Sequence, residues 1–159
     1  FQEAKRELVL AVDPSLYADI EGSTDSELFF FLALTFGLAQ DPPAAVERAV
    51  GFIESIGRKR GIEHPIQMTV AIRDGQNVWA FRYSSERKSR SLFYSTKVTT
   101  LRAQYPDNPI FHTLSDDTRL VVSEPLGDLA GAWNEVPESS YAMIGQGQDA
   151  LKIFTPRVA

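Results

Sequence analysis

Gly22-Ser23-Thr24-Asp25-Ser26-Glu27, running straight into Leu28-Phe29-Phe30-Phe31-Leu32-Ala33-Leu34, is the stretch on which the reading of this chain turns. Thr24 and Glu27 stand three apart, the spacing of a capping box, in which each side chain satisfies a backbone N–H that the first helical turn leaves without a partner. Asp25 falls in that first turn, where negative charge complements the helix dipole. The helix that follows, over about 25–38, is apolar nearly all round and is expected to be covered on most sides within a layered core. A carboxylate held by backbone N–H groups at such a helix start is also suited to receive an ammonium group from a small ligand. The two roles are compatible, because capping fixes the carboxylate that would bind.

Working outward, residues 2–12 read as an amphipathic helix with Ala4, Leu8, Ala11 and Val12 on one face. Asp13-Pro14 closes it, since the residue before proline avoids the helical region. A short link, Ser15 to Gly22, leads to the capping box. Downstream, Gly37 and Asp41-Pro42-Pro43 make a break. A third helix over 43–59 carries Val46, Ala49, Val50, Ile53 and Ile56 on one face, and Gly61 ends it. From Pro65 the period changes to two: Ile66, Met68, Val70 and Ile72 alternate with polar neighbours until Asp74-Gly75 turns the chain. A partner strand follows at Val78–Ser84, with Trp79, Phe81 and Tyr83 on one side. Further short strands are expected at Leu92–Ser95, Leu120–Ser123, Tyr141–Ile144 and Leu151–Phe154. Helices first and a mainly antiparallel sheet after them make the fold class α+β.

The chain has 159 residues, 43% of them hydrophobic, a length that suits one compact domain over 1–159. Its 21 acidic and 16 basic residues leave a net charge of −5, which argues against a nucleic-acid or anionic-membrane surface. The densest apolar stretch, Leu28 to Ala39, is too short to span a bilayer, and no basic segment precedes an apolar one at the N-terminus. A cytoplasmic location is expected. Zero cysteine excludes a disulfide framework, a thiolate zinc site and a cysteine nucleophile within these residues.

Other candidate features carry less. His64 and His112 have no partner at metal-ligand spacing. His64 sits at a helix-to-strand junction, and His112 precedes an expected strand. Asp116-Asp117 reads as turn chemistry. Gly145-Gln146-Gly147 lacks the strand and helix that flank a dinucleotide loop. The stretch Ser84–Ser91 mixes Glu86 with Arg87, Lys88 and Arg90 and reads as a solvated loop. No spacing suggests a metal or other cofactor.

The Gly22–Glu27 segment with its apolar helix resembles the Gly-x-Thr-Asp-Ser-Glu helix start of class II glutamine amidotransferases, in particular the bacterial stand-alone group related to the ergothioneine-pathway amidohydrolase. Further likenesses follow in order. Lys5-Arg6-x-Leu8 resembles the helix after the family's Asn-Gly motif, and Ser91-Leu92-Phe93-Tyr94-Ser95 its middle strand. Val122-Ser123-Glu124-Pro125-Leu126 and Trp133-Asn134-Glu135-Val136-Pro137 resemble its late signature.

The resemblance implies an N-terminal-nucleophile (Ntn) hydrolase fold, a four-layer αββα sandwich with two antiparallel sheets between helical layers. It also implies an N-terminal cysteine that attacks the side-chain amide of glutamine with its own α-amino group as base. In that family an Asn-Gly segment supplies the oxyanion hole, an arginine holds the substrate carboxylate, and the aspartate of Thr-Asp-Ser-Glu receives the substrate ammonium. Only the last role maps onto this chain. It falls on Asp25, with Thr24 and Ser26 as flanking contacts.

Glu27, Ser123 and Glu124 are expected to act behind the site or structurally. Ser123-Glu124-Pro125 reads better as a strand end with a proline turn. Trp133 and Tyr141 are expected in the core.

The sequence also departs from the family pattern, for there is no cysteine, the first residue is Phe1, and neither the Asn-Gly nor the arginine segment is present. The expectation is therefore the C-terminal part of a glutamine amidotransferase domain, an incomplete sandwich inactive by itself and completed by an N-terminal segment outside these residues. Its small-molecule partner would be glutamine or a γ-glutamyl compound, and apolar sheet surface left open would favour a homo-oligomer. The alternative is a non-catalytic binding or assembly module that retains the Ntn fold.

Overall fold

The computed structural model describes residues 2–126, 131–145 and 147–158, so Phe1 and Gln146 lie outside the described residues. The chain divides into two compact units. One holds the residues through Gln67 with Ser84–Glu86 and the C-terminal stretch from Phe154. The other holds Met68–Tyr83 and Arg87–Ile153.

The first unit is helical. Helix α1 (Lys5–Ala11) is shorter than the sequence pattern, and it buries Leu8 with Ala4 and Val12 at its ends. Where a plain link was expected after Asp13-Pro14, a 3₁₀ turn runs over Pro14–Asp19. Asp13 starts it: its Oδ1 accepts from Ser15 N at 2.9 Å. Helix α2 (Asp25–Thr35) packs on α1 and on helix α3 (Pro42–Lys59). Thr35 Oγ1 receives Asp13 N at 3.0 Å, tying the end of α1 to the end of α2. Leu28, Phe31, Leu32 and Ala33 of α2 are buried, but Phe30 is 46% exposed. The expectation of cover on most sides therefore holds apart from Phe30, which stays partly in solvent.

Helix α3 begins where the Asp-Pro-Pro break predicts. Asp41 Oδ1 accepts from Ala44 N at 3.1 Å, and Pro42 occupies a first-turn position that needs no N–H. Its buried stripe is made of Ala45, Val46, Ala49, Val50 and Ile56. The chain from Phe154 onward lies along it. Thr155 N donates to Glu47 Oε1 at 3.3 Å, Arg157 N to the Glu47 carbonyl at 3.0 Å, and the Arg157 guanidinium pairs with Glu47 Oε2 at 2.6 Å.

The second unit is built on two sheets. Strands β1 (Gln67–Arg73) and β2 (Val78–Ser84) flank the Asp74-Gly75 turn. Asp74 Oδ1 accepts from the backbone N–H of Gln76 and Asn77, and Gly75 takes a φ of +101° that other residues adopt at a cost. These contacts hold the Asp74 carboxyl below its ordinary range, the Asn77 N–H first among them.

Strands β3 (Phe93–Ser95), β4 (Val121–Val122), β5 (Trp133–Glu135), β6 (Ser140–Ile144) and β7 (Ala150–Ile153) complete the set. The order is β1-β2-β6-β7 in one sheet and β4-β3-β5 in the other, and β2–β6, β6–β7, β3–β4 and β3–β5 are antiparallel.

Ala80 of β2 faces Ala142 of β6 in register, and these two join Ile144, Leu92, Tyr94 and Val136 in one buried cluster. Two small residues side by side let the sheets approach closely, so their inner faces share a core. On the opposite face of the larger sheet Phe81 is fully buried, with its ring centroid 5.4 Å from that of Tyr141.

Between β3 and β4 lie helices α4 (Val98–Gln104) and α5 (Pro109–Thr113). Val98 and Leu101 of α4 and Phe111 of α5 form a second cluster with Ala132. His112, expected ahead of a strand, is in α5, where Asn108 caps the helix and Pro109 opens it. Ser95, Arg119 and Asp149 pin one end of this unit. Arg119 donates to the Ser95 carbonyl from Nε at 3.0 Å and Nη2 at 2.7 Å and grips Asp149 with both Nη nitrogens. At the far margin β7 is an edge strand, with Leu151 49% and Ile153 79% exposed.

Candidate functional site

The start of α2 concentrates the predicted residues. Thr24, in extended backbone conformation, is its cap, and Thr24 Oγ1 accepts from Glu27 N at 3.2 Å. That is one arm of the predicted capping box. The other arm goes elsewhere: Glu27 Oε1 accepts from Glu21 N at 3.0 Å and Gly22 N at 2.9 Å, upstream of the cap. Lys5 of α1 donates from Nζ to the Ser23 carbonyl at 3.2 Å, so the segment before the helix is held from two directions.

Asp25 is the first helical residue and is exposed. Its Oδ1 accepts from Ser26 N at 2.8 Å and from Ser26 Oγ at 3.4 Å. Among the described residues its Oδ2 has no partner. The carboxylate is thus anchored by one oxygen with the other presented to solvent, at the positive end of a helix dipole. Such a group can accept a charge-assisted hydrogen bond from an ammonium donor.

Thr24, Asp25, Ser26 and Glu27 are therefore brought together. Ser123 and Glu124 belong to the other unit, in the exposed bend after β4, and Glu124 has no hydrogen-bond partner among the described residues. Trp133 and Tyr141 pack as expected. Trp133 Nε1 donates to the Tyr105 hydroxyl at 3.4 Å, and Tyr141 is 7% exposed.

Among solved structures, a glutamine aminotransferase class-II domain protein from Silicibacter pomeroyi superposes with a TM-score of 0.80 and 30% sequence identity, over 99% of this chain. The chain has the class II glutamine amidotransferase fold. It spans 63% of that neighbour's length. No family model and no curated protein matches the sequence.

The structure combines helices with antiparallel sheets, and this structural neighbour is a class II glutamine aminotransferase domain protein. Among the described residues no cluster of three His, Cys, Asp or Glu side chains could hold a metal ion, and no helix is long and apolar enough to cross a membrane. Sequence reasoning missed Lys5 and Gly22 as parts of the site's support. The glycine was readable as part of a motif, but its reason is spatial: a Cβ at position 22 would stand 2.5 Å from Glu27 Oε2.

Proposed function

We propose that this chain is part of a glutamine amidotransferase that cleaves the side-chain amide of glutamine or of a γ-glutamyl compound, and that Asp25 receives the substrate's α-ammonium group. The likeness at 30% identity over 99% of the chain carries this reading, and the exposed, half-anchored carboxylate of Asp25 supplies a binding group for it. These 159 residues contain no cysteine, so the nucleophile comes from outside them. Its thiolate attacks the amide carbon, ammonia leaves from the tetrahedral intermediate, and water releases the acyl group from the resulting thioester. The residues in hand contribute orientation. An ammonium fixed by Asp25 leaves the amide end of the substrate fewer positions to occupy, which is how binding groups remote from the reacting atoms assist the chemical step.

The test uses the protein carrying its N-terminal cysteine. Asp25→Asn removes the charge and keeps the shape. A charge-assisted hydrogen bond of about 1.5–3 kcal/mol converts to a KM for glutamine raised roughly 10- to 150-fold. Alkylation of the cysteine by iodoacetamide, which carries no ammonium, should proceed at the parent rate. An unchanged KM overturns the role of Asp25.

The absence of cysteine favours one second reading, a binding or assembly module on the same fold. Glutamine binding without ammonia release by the full-length protein would select it.

A further inference from the structure

We infer that Glu27 is a positioning residue for the ammonium site, acting through the backbone of Glu21 and Gly22; this rests on the reading of Asp25 given above. In a capping box the glutamate would return to the N–H of the cap residue itself. Here a single oxygen, Glu27 Oε1, gathers two N–H groups from residues 21 and 22, at 3.0 and 2.9 Å. The side chain therefore spans the segment that leads into Thr24 and fastens it to the helix that segment initiates.

Three observations fit this role together. Gly22 lies so close to the Glu27 carboxylate that a Cβ there would be 2.5 Å from Oε2 and 3.2 Å from Cδ, so the approach depends on glycine. The next carbonyl along, Ser23, is held by Lys5 Nζ at 3.2 Å. Thr24 returns the linkage by accepting from Glu27 N at 3.2 Å. Glu27 is thus committed to the backbone through Oε1 and is half-buried, whereas Asp25 is exposed and presents Oδ2 to solvent. Release of Glu27 frees Glu21 and Gly22, the residues that lead into the cap that sets where Asp25 stands.

The experiment again uses the full-length protein and glutamine. Glu27→Ala should raise KM about tenfold, as expected for one charged hydrogen-bonding arrangement lost, with kcat within about twofold. Amide hydrogen exchange at Glu21 and Gly22 should accelerate in the same variant. Glu27→Gln keeps a carbonyl acceptor in place and should restore most of the KM and the protection.

Should Glu27→Ala fail to fold, Gly22→Ala displaces the carboxylate while retaining it and should raise KM likewise. Faster exchange with a parent KM means a merely structural role and overturns the proposal. A raised KM in Asp25→Asn with a parent KM in Glu27→Ala removes the role of Glu27 alone, whereas a parent KM in Asp25→Asn removes the reading on which both rest.

Discussion

Gly51 and Arg157 meet at backbone contact: a Cβ on residue 51 would stand 1.9 Å from the Arg157 carbonyl oxygen and 2.4 Å from its carbon. The obstruction is backbone, so no side-chain rotation relieves it. In an open helix, alanine would be worth about 1 kcal/mol over glycine. Here overpacking opposes that gain at a cost of about 1–3 kcal/mol, or the C-terminal stretch must leave α3. Gly51→Ala should therefore lower the melting temperature by several degrees. A variant as stable as the parent would show that the stretch does not seat on α3 in solution.

Glu47, 5% exposed, depends on that same stretch for its cation. Arg157→Ala should leave the buried carboxylate with the Thr155 N–H and no positive charge. Arg157 itself is half in water, so the loss belongs at the lower end, about 1–3 kcal/mol. Glu47→Gln combined with Arg157→Ala should recover part of it, and denaturant titration of the three variants reads the coupling. Strict additivity would mean the two side chains do not interact.

The Asp74 carboxyl is depressed by the Asn77 and Gln76 N–H groups. A depressed carboxylate lends stability that is complete above its ordinary range and is lost as pH falls through the lowered value. Protection of the Gln76 and Asn77 amides, measured against their intrinsic exchange rates, should thus fall on acidification below about pH 4. Asp74→Asn, which does not titrate, should show constant protection over that interval. Equal acid sensitivity in both proteins would separate the turn from this carboxylate.

Burial pushes the Tyr94 phenol up from 10.0, the Asp149 charge adds to this, and Arg119 opposes it. A raised value means stability that is complete below the ordinary phenol range and is lost as pH rises through the raised value. The melting temperature of the parent should fall more steeply than that of Tyr94→Phe above about pH 10. Parallel curves would place the alkaline loss elsewhere.

What could be read from residue order followed how local the cause was. β2 matches the expected Val78–Ser84 because its alternation and the Asp74-Gly75 turn are both contained within a dozen residues. The start of α3 was legible in Asp41-Pro42-Pro43 for the same reason. Helices α4 and α5 and strand β5 were not read as elements. They span seven, five and three residues and owe their form to partners far away in sequence: β5 pairs with β3, and Phe111 packs with Val98, Leu101 and Ala132. Asn108-Pro109 was a usable signal for α5, since a cap and a first-turn proline stand side by side. At the candidate site the Thr24–Glu27 spacing correctly marked a helix start and a carboxylate seeking N–H groups. It could not say which N–H groups, because the path of residues 20–23 depends on Lys5 and on room beside Gly22.

Edge strand β7 has a bearing on how the polypeptide behaves in a tube. Its outer backbone groups have no sheet neighbour among the described residues, and Leu151 and Ile153 project from it largely uncovered. A strand of that kind is a template for another extended chain. Lys152 is its sole charge, placed between the two apolar residues. Two copies laid edge to edge would bring those ammonium groups close together and repel one another. Within these residues Lys152 is the charge of β7 that opposes such pairing, and acetylation of its amine would weaken that opposition.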